Sequence, residues 1–309
     1  MTTVENRYLA GNYAPVPNEV TATDLSVTGT LPEALTGRFL RNGPNPLSTP
    51  EPSKYHWFTG DGMVHGIRIR DGRAEWYRNR WVRSALVAEA LGEPTRPGPV
   101  HADMDFASNT NVIGHAGRTF AIVEAGARPY ELTYELDTVG PSDLGGTLPG
   151  GYTAHPKRDP QSGELHAMSY FWGWGNVVQY SVIDLDGKVR KHVDVPVGGS
   201  VSIHDMSLTE RFAVIYDLPV VFDLQAAMGG SQFPYHWDRE YQARVGLLDR
   251  EGTADDVRWF DVSQCYVFHP MNAYDDGDTV VLDVIRHERM FDTHQLGPDE
   301  GPPTLERWT

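Results

Sequence analysis

Three of the twelve histidines recur in matching surroundings, and that recurrence constrains the fold more than any other feature of the chain. His155 lies between Ala154 and Pro156, His204 between Ile203 and Asp205, and His269 between Phe268 and Pro270. Each comes a few residues ahead of a short apolar run of strand type, at 165–171, 211–217 and 279–285. From residue 119 onward these runs form a loose repeat of strand, turn and second strand. The copies pair 119–124 with 131–136, 165–171 with 177–183, 211–217 with 243–248 and 279–285 with 305–308. Units spaced about 50–65 residues apart suit the four-stranded blades of a β-propeller. A β-sandwich produces similar strands, so the repeat alone leaves both architectures open.

Composition agrees with an all-β chain. The 31 glycines and 22 prolines are dispersed, as expected of many turns between short strands. One helix is predicted, over 84–91, closed by Gly92 and then Pro94. Glycine-dense stretches at 37–46 and 57–65 mark close backbone approaches. The expectation is a single domain over residues 1–309. The final run, 305–309, reads as a strand that has just begun, with no partner.

Charge narrows the partners. A formal net charge of −16, from 26 basic against 42 acidic residues, repels polyanions and argues against nucleic acid. No protein partner is predicted. The lone Cys265 rules out an intrachain disulfide and fits a reducing compartment, and its reading is that of a small buried residue. Residues 1–14 lack a basic segment followed by an apolar one, and no apolar run is long enough to span a bilayer. These features predict a cytoplasmic protein.

At equivalent points of successive blades, inner residues converge on the propeller axis. His155, His204 and His269 would therefore meet at one metal through neutral imidazole nitrogens. Any one of them alone would be read as a turn cap beside Pro or Asp. Imidazoles suit zinc, copper, nickel or iron, so the residues leave the metal open. His56, His65, His101, His166, His192, His236, His287 and His294 lack the shared context and are read as structural or surface residues.

These segments together resemble the carotenoid cleavage oxygenase family. The resemblance runs from about Asn6 to the last residue and rests on 37–46, 57–65 and the three histidine contexts in order. Asn109, Thr110 and Asn111, and Glu124 in the run FAIVEAG at 120–126, match as well. It implies a seven-bladed β-propeller, of which this chain would carry the N-terminal four to five blades. It also implies an Fe2+ held by four histidines, the first three being His155, His204 and His269. The fourth histidine and two further glutamates would fall beyond residue 309, leaving an open propeller and a partial site. Glu124 matches a glutamate that hydrogen-bonds a ligand histidine, here His204, fixing its tautomer. Thr110 matches a threonine beside a vacant iron position.

The implied reaction is oxidative cleavage of a C=C bond by O2, giving two carbonyl products from an apolar polyene, a carotenoid or apocarotenoid. Stilbene-cleaving relatives carry a lysine immediately before the matching glutamate. Val123 stands there instead, as a substrate-pocket candidate that cannot hold a phenolate. Carotenoids dissolve in membranes, so a peripheral membrane contact is expected. Leu218, Val220, Val221 and Phe222, with Leu224 and Met228, are its best candidates, against a buried strand and connector. Rival readings are a stilbene or phenylpropanoid alkene dioxygenase on the same scaffold, isomerisation without cleavage, and a non-catalytic propeller fragment for protein interaction.

Overall fold

A computed structural model describes residues 5–309, so the first four residues of the 1–14 stretch lie outside it. The chain is all-β. Among the described residues there are five antiparallel sheets of three or four strands, one two-stranded ribbon and two short α-helices. Backbone packing divides it into two compact units. One runs to Val123 and includes Ala127–Ser142; the other takes Glu124–Gly126 and Asp143–Thr309.

The first unit holds two four-stranded sheets. In one, Gly37–Pro44, Gly62–Arg70 and Arg73–Trp81 form a meander edged by Thr21–Ala22. In the other, Asn111–His115, Arg118–Ile122, Tyr130–Leu132 and Thr138–Pro141 follow in order. Val64, Val82, Ala121, Tyr130, Leu132 and Leu136 make a shared apolar cluster. Glycine is required at Gly62, where a Cβ would meet the Ala107 carbonyl oxygen at 2.3 Å. The predicted helix is present as Ala85–Ala90, with Ser84 as its N-cap.

The second unit holds the three repeats that carry the histidines. Lys157–Arg158, Leu165–Tyr170, Val177–Ile183 and Val189–Pro196 form one meander. Ser207–Leu208, Phe212–Asp217, Arg244–Asp249 and Arg258–Asp261 form the next. Tyr266–Asp276, Thr279–His287 and Thr304–Trp308 form the third. Within the first two meanders burial falls from the second strand to the fourth. Leu165–Tyr170 and Phe212–Asp217 are buried throughout, whereas Arg258–Asp261 is mostly exposed. Their sequences, LHAMSY and FAVIYD against RWFD, follow that gradient. The turn at Gly187 has φ 77°, and Asp184 Oδ1 accepts from the Asp186 and Lys188 amides.

Three sequence expectations change. The final run is not without a partner: Thr304–Trp308 pairs with Thr279–His287 across five registered positions, as the repeat of 279–285 with 305–308 anticipates. The segment between Asp217 and Arg244 folds into the ribbon Val220–Phe222 with Tyr235–Trp237 and a second helix, Leu224–Met228. Leu218 and Val220 are fully buried there, and Val221 and Phe222 partly so. The strongly exposed apolar side chains of that segment are Leu224 and Met228, at 61% and 81%. No helix among the described residues is long and apolar enough to cross a membrane.

A candidate metal centre

Each histidine is placed by the first strand of its own sheet. His155 ends a loop two residues before Lys157–Arg158, and Pro156 after it favours an extended backbone. His204 lies in a loop three residues before Ser207–Leu208. That loop is latched to the ribbon, with the Ser202 amide donating to Val220 O at 2.8 Å and the Phe222 amide to Ser200 O at 2.9 Å. His269 precedes Thr279–His287 as expected, but it lies within a strand of its own, Tyr266–Asp276. The register shifts on both sides of Pro270, which cannot donate to the ladder, and the resulting bulge re-aims His269.

The three rings converge. Their centroids are 4.6 Å apart for His155 and His204, 4.7 Å for His155 and His269, and 4.8 Å for His204 and His269. One donor nitrogen from each lies within 4.8 Å of the others. His155 Nε2 and His204 Nε2 are 3.0 Å apart.

Glu124 stands behind His204, its Oε2 2.7 Å from His204 Nδ1. Tyr170 donates its hydroxyl to Glu124 Oε1 at 3.1 Å, and Ser202 Oγ donates to Tyr170 Oη at 3.2 Å. Tyr266 in turn donates to Ser202 O at 3.1 Å. Burial and the Glu124 carboxylate push the Tyr170 phenol well above its ordinary pKa, so it remains a donor. Two glycines bring Glu124 into place. A Cβ at Gly126 would meet the Phe171 ring at 2.5 Å, and one at Gly151 would meet the Gly126 backbone at 2.5 Å. The Glu124 loop thus packs backbone to backbone on the segment leading to His155.

Asp205, next to His204, is buried at 4% exposure. Its Oδ1 accepts from the Met206 amide at 2.7 Å, and Lys157 Nζ sits 2.7 Å from Oδ1 and 2.8 Å from Oδ2. Oδ2 also lies 3.5 Å from His269 Nδ1.

The electrostatics suit a cation. Burial, followed by the neighbouring His204 ring, pushes His155 down to a pKa of about 3, so it is a neutral lone-pair donor at pH 7. Burial opposes charge on His204 as well, but the Glu124 carboxylate outweighs it and raises the pKa. A bound cation would draw on the same stabilisation. With the Nδ1 proton of His204 held by Glu124, its Nε2 presents a lone pair toward His155. The 3.0 Å between those Nε2 atoms equals the separation of two ligands about 2.1 Å from one ion at right angles. His155 and His204 are therefore spaced as neighbouring ligands of a divalent first-row metal, and His269 stands beside them with its donor atom within 4.8 Å.

Thr110 donates its hydroxyl to Asn109 Oδ1 at 3.0 Å, and the Asn109 amide bonds the Phe58 and Gly60 carbonyls at 2.7 and 2.6 Å. Val123 is buried and immediately precedes Glu124. Cys265 is buried and free. Lys157, Asp205, Tyr170, Ser202 and Tyr266 were not singled out from sequence. Of these only Asp205 gave a local signal, by standing beside a candidate ligand.

Comparison with known proteins identifies the family. The family model described as Retinal pigment epithelial membrane protein matches residues 13–309. A carotenoid cleavage oxygenase of Mycobacterium tuberculosis is 51% identical, over 99% of this chain and 70% of that protein. A carotenoid 9,10(9',10')-cleavage dioxygenase of Crocus sativus is 35% identical, over 91% of this chain and 57% of that protein. The crystal structure of Pseudomonas brassicacearum lignostilbene dioxygenase superposes with a TM-score of 0.84 at 26% identity, over 99% of this chain and 68% of that one. The chain belongs to the Retinal pigment epithelial membrane protein family, together with the carotenoid cleavage oxygenases.

Proposed function

We propose that the protein is an iron(II) dioxygenase that cleaves a C=C bond of a carotenoid or apocarotenoid. The alkene and one O2 together give two carbonyl products, so no further reductant is needed. The observation that carries this reading is the convergence of His155, His204 and His269 in a member of this family. The 51% identity to a carotenoid cleavage oxygenase supports the substrate class. On this reading the five sheets are successive blades of a β-propeller, supported by the TM-score of 0.84.

His155, His204 and His269 would hold the metal, which when bound supplies the activation of O2. The protein's own residues prepare the site. Burial keeps His155 neutral, and Glu124 keeps the His204 proton on Nδ1. Tyr170, held by Ser202, fixes the Glu124 carboxylate. Phe268, edge-on to His204 with centroids 5.4 Å apart, presents an apolar wall that keeps water from that ring. Thr110 is proposed to limit access beside the metal, as the family resemblance implies. Leu224 and Met228 are the exposed side chains available for a peripheral membrane contact.

A phenylpropanoid alkene is the second reading, favoured by the likeness to lignostilbene dioxygenase. Val123 argues against it, because a buried valine offers a phenolate nothing to pair with.

The test is anaerobic Fe(II) loading and elemental analysis of wild type and His204→Ala, followed by product analysis under 18O2. One iron per chain, lost in the variant, with label in both carbonyl fragments of an apocarotenoid, supports the proposal. Folded wild type without iron would overturn it, and turnover of a stilbene alone would select the second reading.

A further inference from the structure

We propose that Arg250 clasps together the two sheets whose first strands follow His155 and His204, and that protonation of the buried His166 opens the clasp. The inference concerns residues that the metal reading does not use, and it stands on contacts that need no metal.

The Arg250 guanidinium gathers the far ends of both strands. Asp159 comes directly after Lys157–Arg158, and its Oδ2 lies 2.6 Å from Arg250 Nη2. Thr209 and Glu210 come directly after Ser207–Leu208, and Arg250 Nη1 donates to Glu210 O at 3.0 Å and to Thr209 O at 3.4 Å. Asp159 is fixed on its own turn by the Gln161 amide at 3.1 Å and the Ser162 hydroxyl at 2.8 Å. Arg250 enters from the turn after Arg244–Asp249, where its amide donates to Arg211 O at 3.0 Å. The Asp159 and Arg250 side chains are 8% and 16% exposed, so solvent and salt screen this pair little.

His166, fully buried in Leu165–Tyr170, makes the clasp conditional. Arginine has no acceptor, so the Nε2 atom 3.0 Å from Arg250 Nη2 carries a lone pair. The ring proton is then on Nδ1, 2.6 Å from Tyr180 Oη. A second proton can go only to Nε2, where it sets an N–H against the N–H of Arg250. The conflict falls on the same Nη2 that holds Asp159. The charged groups around the ring are Arg250 from the second sheet and Asp159, Glu164 and Arg190 from the first. Glu164 is already engaged by Arg190, which also reaches Glu251 at 2.9 Å. That outer pairing contains no histidine, so acid opens the inner contact and leaves the outer one as a hinge. Release frees the ends of the strands that lead back to His155 and His204.

Hydrogen exchange of the metal-free 309-residue chain, corrected for the intrinsic effect of pH, tests the clasp. The amides to follow are Asp159, which donates to Glu164 O, and Arg250, which donates to Arg211 O. Burial and then the Arg250 charge hold the closed His166 at about 4, and opening returns it toward the ordinary value of about 6.5. Opening should therefore become about 10- to 30-fold more frequent between pH 7.5 and 5.0. Amides of Arg118–Ile122, in the other unit, report global opening and should change by less than about threefold. His166→Gln keeps a side-chain acceptor for Arg250 but does not titrate, and it should abolish the pH effect. Arg250→Met should expose both amides at either pH, and by NMR it should raise the pKa of His166.

Equal protection at the two pH values in wild type would overturn the proposal, as would a wild-type pH response in His166→Gln. If His166→Gln does not fold, Arg250→Met decides, because an unchanged His166 titration there means that the two groups do not oppose each other. Parallel loss of protection at Arg118–Ile122 would make the acid response global unfolding and end the case for a clasp.

Discussion

Glu124 Oε2 lies 2.7 Å from His204 Nδ1, and the other oxygen of the same carboxylate accepts from Tyr170 at 3.1 Å. One side chain is therefore clamped between an imidazole of the histidine cluster and a buried phenol. The clamp decides which nitrogen of His204 is free, and so whether three lone pairs can meet.

Glu124→Gln is expected to weaken divalent metal binding about 10- to 100-fold while leaving the fold intact, measured by Co2+ titration. The same variant should lower the pKa of His204 in the metal-free chain, because the neighbouring carboxylate is what raises it against burial. An unchanged His204 titration by NMR would contradict this account.

Tyr170→Phe removes the donor to Glu124 Oε1 and the acceptor for Ser202 Oγ. A loss of about 1–3 kcal/mol in urea unfolding is expected, since buried polar atoms lose their partners. Metal affinity should fall by less than in Glu124→Gln, because the carboxylate remains behind His204.

Gly151→Ala should destabilise by about 1–3 kcal/mol, because its Cβ would sit 2.5 Å from the Gly126 backbone. A Cβ at Gly43 would meet nothing within 4 Å, so Gly43→Ala is the control, with an effect within about 0.5 kcal/mol. Equal unfolding midpoints for the two variants would rule out the tight backbone contact.

Stability should fall as pH drops below about 6.5, the ordinary value for histidine. His166 is fully buried, accepts from Arg250 at 3.0 Å on Nε2 and donates from Nδ1 to Tyr180 Oη at 2.6 Å. Burial, reinforced by the Arg250 charge, holds its pKa at about 4. A depressed histidine favours folding fully above the unfolded pKa, and that contribution is lost as pH falls toward the folded one. The slope is at most about 1.4 kcal/mol per pH unit for this group, between about 6.5 and 4. Buried His56, held near 3 by burial, adds to it with the same sign. Urea midpoints at pH 7.5, 6 and 5 test this, and His166→Gln should flatten the profile.

The all-β class and the strands around the histidines were legible because each strand is a local pattern. The runs 165–171 and 211–217 appear as Leu165–Tyr170 and Phe212–Asp217, nearly residue for residue. Their partners are near in sequence and joined by turn residues such as Gly187, so pairing within a meander follows the chain. The helix Leu224–Met228 was missed because its five residues are too few to show a period. The pairing of 279–285 with 305–308 was legible too, although an irregular loop separates Thr279–His287 from Thr304–Trp308.

By itself the sequence determined the donor types, their order and their shared position in three repeats. Only the tertiary structure decided which polar groups stand behind those donors. Glu124 stands behind His204, and Tyr170 behind Glu124, from distant parts of the chain. It also decided that Leu218 and Val220 are buried while Leu224 and Met228 are exposed. The physical reason is the same in each case. Strand periodicity is written in neighbours, whereas burial and a carboxylate's partner depend on sheets that the chain brings together only when it folds.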